Sequence, residues 1–318
     1  LPNQSKNPFF RNLLKQYFAY FKIKPTGPAI QRIPIEGGPP RGLSSDSIET
    51  ELDIQTIRGT SPGVALSVYE TSDLSFTSIV SAYNQIDADA TVTAVNSSFG
   101  GCEYEAGVFP QIADYLAQQG AAEGIIFSAS TGDDGAFCDG NLDVETPASA
   151  PTFVGVGGTT LFLNPYLGKY RFENGWAGSG GGTSSIFPTP SYQLGIPNVI
   201  GSYRNVPDIA FDADPGSGES LYIGGQWIGP VGGTSLASPL FVGLLSQWTQ
   251  IAGSPLAEIQ SPVYRTFTAD GYRLPAGHPL FHDWTLGNDG YYSAQPGYDL
   301  LTGIGSIDGW NYATLGQL

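Results

Sequence analysis

The stretch GVFPQIADYLAQQGAAEGIIFSASTGDDG, Gly107 to Gly135, contains an amphipathic helical run, a short apolar strand, and an acidic glycine turn. Apolar residues in GVFPQIADYLAQQGAA recur at helical spacing, whereas GIIFSAS is a run of strand length bounded by turn residues. Helix and strand alternating with short turns form the unit of a parallel sheet. Working outward, SSDSIETELDIQTI from Ser44 reads as a helix, GVALSVYE from Gly63 as a strand, SFTSIVSAYNQI from Ser75 as a helix and ATVTAVNSSF from Ala90 as a strand; PTFVGVGGT from Pro151 adds another strand. The expectation is an α/β fold with a mostly parallel central sheet flanked by helices and joined by right-handed crossovers. From Leu161 to Pro230 the periodicity gives way to Gly, Pro, Ser and aromatic residues, a pattern of long loops and short edge strands. In such sheets ligands gather at the carboxyl ends of the strands, so the loops after each strand are the candidate site.

The bulk composition narrows the function. The 318 residues are 41% hydrophobic and only 13% charged, with 43 Gly and 24 Pro, which fits a loop-rich globular chain. No linker interrupts it, and a single domain over 1–318 is expected. A net charge of −16, with 13 Lys and Arg, argues against nucleic acid and against anionic membranes as partners. No stretch approaches a membrane span, and LPNQSKNPFFRNLLKQ lacks the apolar region of a signal peptide. With no Met, the chain is expected to be a processed or trimmed piece. Cys102 and Cys138 fit either one disulfide in a secreted protein or two buried thiols. Asn3 stands in an NQS sequon and Asn96 in NSS, the second inside an expected strand and so a poor acceptor.

VGGTSLASPLFVGLL, from Val231, places Ser235 at the neck of an apolar helix expected to reach about Ile251, with Pro239 in its first turn. A serine there can be an N-cap. GTSLASP also matches the nucleophile segment GTSxAxP of subtilisin-like serine peptidases, but a serine hydroxyl needs a base. The two histidines, His278 and His282, both follow the serine, and no HGTHVAG-like segment is present. Carboxylates are the remaining candidates. Glu49 and Asp53, four apart, share one helix face and can share a proton, although Glu49 could equally complete a cap with Asp46. Asp133, directly after the GIIFSAS strand, is a third candidate, with Asp134 beside it and turn stabilisation the alternative.

Taken together these segments resemble the sedolisin family, the serine-carboxyl peptidases of subtilisin-like fold. The resemblance is carried by ETELD at 49–53, SFGG at 98–101, STGDDG at 130–135, PASAPTFVGVGGT from Pro147 and GGGTSSIFPTPSYQ from Gly180, and covers nearly the whole chain. RNVPDIAFDADPGSG from Arg204, GGTSLASP from Gly232, FHDWTLG from Phe281 and GYDLLTGIGS from Gly297 complete it. It implies Ser235 as nucleophile, Glu49 as the base, Asp53 as its partner, and Asp133, protonated, as oxyanion donor with the Ser235 N–H. It implies a substrate cleft lined by Ser98, Phe99 and Gly100, with Phe99 where relatives often carry Trp or Tyr. One Ca²⁺ in a C-terminal loop region is implied, with side-chain oxygens from Asp283 and Asp299 and carbonyl oxygens from Trp284, Gln295 and Gly297. Gln295 stands where relatives often have Gly.

Cys102 and Cys138 each follow a motif segment, so that a bridge between them would tie two active-site loops. An optimum around pH ~3 to 5 follows for carboxyls of pKa about 4, unless burial shifts them. Relatives begin with a strand, supplying a further acid, before the helix NPFFRNLLKQYFAYF; its absence here leaves room for a separate N-terminal fragment or propeptide. The expected partner is a peptide or protein substrate in a secreted or acidic vacuolar or lysosomal setting, cut by an endopeptidase or by a tripeptidyl-peptidase relative of fungal type. The alternatives are a catalytically inactive binding module and a paired-carboxylate glycosidase, whose acids would be too close together on one helix.

Overall fold

The structure, a computed structural model, describes residues 8–39, 46–270 and 279–314. Asn3, His278 and the side chain of Asp46 lie outside the described residues. The chain opens with α1 (Pro8–Phe21), β1 (Gln31–Pro34) and α2 (Asp46–Thr60), and then alternates through β2 (Ser67–Glu70), α3 (Phe76–Asp89) and β3 (Ala94–Ser97). A short β4 (Gly101–Cys102) precedes α4 (Phe109–Ala122) and β5 (Ile126–Ser130). The loop beyond carries β6 (Phe137–Cys138), β7 (Asn141–Leu142) and β8 (Glu145–Thr146), followed by the long β9 (Phe153–Leu163) and β10 (Tyr170–Gly175). Next come β11 (Gly182–Pro188), β12 (Tyr203–Val206), β13 (Ile209–Asp212) and the hairpin β14 (Glu219–Ile223) to β15 (Gln226–Val231). The chain closes with α5 (Thr234–Ala252), α6 (Gln260–Asp270), β16 (Phe281–His282), β17 (Ser306–Ile307) and α7 (Gly309–Thr314).

The expected α/β architecture is present. Strands β3, β5, β9 and β13 pair in parallel, and β10 adds antiparallel to the far half of β9. Period-two alternation sends successive residues of the inner strands into opposite cores. Ile126 and Val154 point to one core, with Phe241, Leu245 and Trp248 of α5 and Val263 and Phe267 of α6; Phe127 and Phe153 point to the other, with Tyr83 of α3 and Leu116 of α4. Both faces being covered, β5 is buried along its whole length. The strands of the early units are shorter than their apolar runs, because Gly63–Leu66 and Ala90–Thr93 form the turns that lead in.

The central sheet is interrupted. β2 pairs only with β1, and β3 pairs only with β5, so each leaves one edge without a ladder among the described residues.

One charge pair lies wholly inside. Arg204 is 0% exposed and its guanidinium grips Asp208 through Nη1–Oδ1 at 3.0 Å and Nη2–Oδ2 at 2.8 Å. Its other protons reach the carbonyls of Ser149, Phe153 and Ala148 and the Tyr192 hydroxyl, while Asp208 also accepts Gly155 N–H and the Tyr264 hydroxyl. These bonds stitch the 148–153 turn, β9, β12 and α6 together, and they satisfy every donor of the buried guanidinium.

Candidate active site

Three segments meet at the carboxyl ends of β3 and β5: residues 98–100 beyond β3, residues 131–135 beyond β5, and the start of α5. α2 packs along α5 and completes the wall. At Gly243 the helices are so close that a Cβ would lie 2.8 Å from the Thr60 Cβ.

Ser235 is not the N-cap. The cap is Gly233, at φ +104, and helix α5 begins at Thr234. Glycine is required there twice over: the backbone is left-handed, and a Cβ would stand 2.6 Å from Asp133 Oδ2. Ser235 thus occupies the first turn with its hydroxyl uncommitted to capping, and its N–H meets no acceptor among the described residues, as for the first amides of any helix. Pro239 lies beyond the first turn, so it withholds the N–H that would close the helix bond to the Ser235 carbonyl. The Ser98 hydroxyl comes within 3.3 Å of that carbonyl instead.

The two carboxyls of α2 face this serine. Burial pushes Glu49 up to about 7; a hydrogen bond with the Ser235 side chain pulls the other way, and the charge of Asp133 adds to the rise. Its Oε1 is buried and meets no hydrogen-bond donor among the described residues. Asp53 is held well above the ordinary carboxylate range, by burial first and by the Glu49 charge second. Side-chain hydrogen bonds partly offset this, chiefly Ser98 Oγ donating to Asp53 Oδ1 at 2.6 Å. A pair buried this closely holds fewer negative charges than two, and protons leave it as a unit.

Behind Ser98 runs a chain of polar side chains that sequence reasoning missed. Asn96 Nδ2 donates to Ser98 Oγ at 2.9 Å, Ser238 Oγ donates to Asn96 Oδ1 at 2.7 Å, and Ser128 and Ser238 share a hydrogen bond of 2.9 Å. The available signal was the presence of Asn96 and Ser128 in the middle of two short strands. Both ends of the Asn96 amide are thus engaged within the protein. Phe99 is half-buried and packs on the α3–α4 core, and Gly100 is exposed.

Asp133 is clamped to the start of α5. Its Oδ1 accepts the Thr234 N–H at 2.7 Å and the Thr234 hydroxyl at 2.9 Å, while Oδ2 accepts none among the described residues. The residue is exposed by its overall surface, yet surrounding protein desolvates its carboxyl. That surrounding protein raises its pKa; Thr234 opposes the rise and Asp134 reinforces it. Thr234 is therefore a further residue that pattern reading passed over, although it stands inside GTS.

Cys102 and Cys138 form a disulfide with Cα atoms 5.5 Å apart, joining the segments that follow SFGG and STGDDG. Among the described residues the one histidine, His282, lies elsewhere, on β16, its ring stacked on Tyr170 and Trp284.

The C-terminal loop gathers oxygens. Asp299, 1% exposed, accepts the amides of Leu301 and Thr302 through Oδ1 and of Gln295 through Oδ2 at 3.0 Å. Asp283 Oδ2 accepts the Gly297 amide at 3.1 Å, so both carboxylates approach the 295–297 turn, with Trp284 next to Asp283 in the chain. No group of three His, Cys, Asp or Glu side chains assembles anywhere among the described residues. Carboxylates and backbone carbonyls, where they converge, are ligands of a hard cation and poor ones for zinc.

Residues 44–265 match the subtilase family. The chain is 35% identical to sedolisin of Pseudomonas sp. over 82% of this chain and 47% of the relative, and 32% identical to kumamolisin of Bacillus sp. over 92% and 55% respectively. It spans about half the length of these relatives. The solved structure of Pseudomonas sedolisin, a serine-carboxyl proteinase complexed with pseudo-iodotyrostatin, superposes with a TM-score of 0.82 at 30% identity, covering 96% of this chain and 89% of that one. With the subtilase match over most of its length and this agreement in structure, the chain belongs to the sedolisin family of serine-carboxyl peptidases.

Proposed function

We propose that the protein hydrolyses peptide bonds through an acyl-enzyme on Ser235. The observation that carries this reading is the buried Glu49 carboxyl on α2 beside the Ser235 side chain, with Asp133 clamped at the same helix start. In the first step Glu49 takes the Ser235 proton as the hydroxyl attacks the carbonyl carbon. Asp53 shares the resulting proton and fixes the Glu49 carboxyl, itself oriented by Ser98. The oxyanion receives a hydrogen bond from protonated Asp133 through Oδ2 and another from the Ser235 N–H. Collapse of the tetrahedral intermediate transfers the proton from Glu49 to the leaving amine, and a water deacylates the serine by the same route reversed.

Two limbs set the pH dependence. Asp133 must keep its proton to donate, and its stabilising role is lost as pH rises through its raised pKa. Glu49 must be free of its proton to act as base, and that fraction shrinks as pH falls below about 7. Activity is highest between the two values and low on either side. Burial thus moves the window upward from an unperturbed carboxyl range. Hydrolysis of a denatured protein should be many-fold faster at about pH 5 than at about pH 8. Equal rates at both would refute the carboxylate base. Mass spectrometry of the same digest separates internal cutting from release of tripeptides.

The peptide substrate is proposed to run along Ser98, Phe99 and Gly100 by backbone pairing, with the Ser98 hydroxyl reserved for Asp53. Asp283 and Asp299, with the carbonyls of Trp284, Gln295 and Gly297, would hold one Ca²⁺, offsetting the charge of a nearly buried Asp299. The ion's contribution there is to tie the loop. Calcium at roughly 100 times its Kd should raise stability by about 2.7 kcal/mol. Chelator should reverse this in thermal melting, and an Asp299→Asn variant should not respond. Chelator-insensitive melting of the unaltered protein would remove the metal from the account.

The unpaired edge of β3 or of β2 is proposed to take one further strand, from a separate N-terminal fragment or a preceding segment. Open inner edges with unpaired backbone groups support this reading. The disulfide supports an oxidising, secreted or acidic compartment.

A further inference from the structure

The polar chain behind Ser98 is not used by the mechanism above. Alternation along β3 turns Val95 into the α3–α4 core and Asn96 toward α5. The parallel register of β3 and β5 sets Asn96 beside Ser128, and Ser238 of α5 meets both side chains. Ser128 and Ser238 are fully buried and Ser98 nearly so. The chain runs Ser128, Ser238, Asn96, Ser98, Asp53, and thus ends on the partner of the base.

Counting protons gives this chain a direction. A hydroxyl has one proton to donate, whereas an amide has two fixed ends, Nδ2 that only donates and Oδ1 that only accepts. Asn96 Oδ1 takes the Ser238 proton at 2.7 Å, so Ser128 is the donor of the 2.9 Å bond between the two serines. Asn96 Nδ2 donates to Ser98 Oγ at 2.9 Å, and Ser98 gives its one proton to Asp53 Oδ1 at 2.6 Å. Every hydrogen points toward Asp53. With a proton on Oδ1, Ser98 would have to turn its own away, and Asn96 presents a donor to it. The acceptor left among the described residues is the Ser235 carbonyl at 3.3 Å, a much longer contact. Hydroxyls swing freely, but the amide reverses only by turning over, which would set Nδ2 against the Ser238 proton.

The surrounding charges give Asp53 no other help. Glu49 bears on it from the same helix, and Asp133 bears on Glu49 from across the cleft. β3, β5 and α5 carry no charged residue. β14 and α1 bring Glu219 and Tyr17 to α2, where the hydroxyls of Tyr17 and Thr56 both donate to Glu219; the Tyr222 ring turns to Trp227. Burial and the Glu49 charge raise the Asp53 pKa, and the side chains that lower it are Ser98 and Asn96. We propose that Asn96, held by Ser238, is a positioning residue for the base: its amide keeps Asp53 Oδ1 an acceptor only, so that the proton shared by Glu49 arrives at Oδ2. The chain itself transfers no proton. The proposal rests on the peptidase reading and adds to it the residue that readies Asp53.

The test follows kcat/KM from about pH 3 to 8, with a quenched peptide chosen from the digest of a denatured protein by the full chain. Ser238→Ala removes the donor that holds the amide, and Asn96→Leu removes the amide at similar size. In both, the acid limb should move up by about half a pH unit or more, because a carboxylate that loses donors holds its proton more tightly. The rate at about pH 4 should therefore fall about three-fold further than the rate at about pH 6. The basic limb, set by Asp133 on another loop, should stay. Ser246→Ala takes from the same helix a hydroxyl that bonds Ser61 and the Gly243 carbonyl, and should leave both limbs in place. A merely structural role would lower the whole profile without moving one limb. Thermal melting checks folding, and Ser238→Ala, the loss of a single oxygen, serves where Asn96→Leu does not fold. An acid limb that stays or moves down in the folded variants overturns the proposal. In that outcome, cleavage by the unaltered chain that disappears in Ser235→Ala leaves the peptidase reading intact; an unaltered chain that leaves the denatured protein uncut overturns both.

Discussion

Ser235→Ala should lower kcat/KM for a peptide substrate by roughly 10⁴-fold or more, since no other hydroxyl or imidazole among the described residues stands where it could replace the nucleophile. Glu49→Gln should cost nearly as much. The amide keeps the size and one hydrogen-bond acceptor of the carboxyl, but it cannot take the Ser235 proton. The two losses should not add, because each removes the same step. The Ser235→Ala, Glu49→Gln double variant should therefore be within a few-fold of either single variant. Steady-state kinetics across about pH 4 to 7, with circular dichroism to confirm folding, provides the comparison. Residual activity above a tenth in either single variant would exclude that residue from the role assigned to it.

The second large effect is on stability and lies away from the cleft. Asp208→Ala should destabilise the fold by about 3–5 kcal/mol, because it leaves the fully buried Arg204 guanidinium charged and without its counterion. It also strips the Gly155 N–H and the Tyr264 hydroxyl of their acceptor. Replacing both partners, as Arg204→Met with Asp208→Leu, should cost much less than the single change, since no orphan charge remains. Urea unfolding at near-constant m-value measures both. A single variant that shifts the unfolding free energy by less than about 1 kcal/mol would show that water or another anion reaches Arg204. The pair matters to the site because it anchors β9 to the 148–153 turn, and β9 lies beside β5, whose end carries Asp133.

Much of the site could be read from spacing alone. Glu49 and Asp53 face one way because a helix brings residues four apart onto one side, and ETELD lies within a helix whatever surrounds it. Asp133 follows a short strand-length run bounded by turn residues, so its place at the edge of a parallel sheet follows from local pattern. The helix after Ser235 was equally plain. Its start was not: capping by serine is a local preference, and it is overridden here by Gly233, whose bare backbone lets Asp133 come close. Pro239 was likewise read as a first-turn residue, whereas it sits one turn deeper and leaves a carbonyl that Ser98, remote in sequence, approaches.

What the sequence determined by itself is whatever depends on period and neighbour: the alternating helices and strands, the acid pair on α2, and the poverty of histidine. The tertiary structure alone decided which groups share a proton or a charge. Asp53 with Ser98, Asn96 with Ser238, and Thr234 with Asp133 are all contacts across segments. The pKa shifts of the two acids come first from burial and then from partners that no local pattern encodes. Desolvation depends on everything that surrounds a carboxyl in space, so an acid acquires its chemistry only when the chain has closed around it.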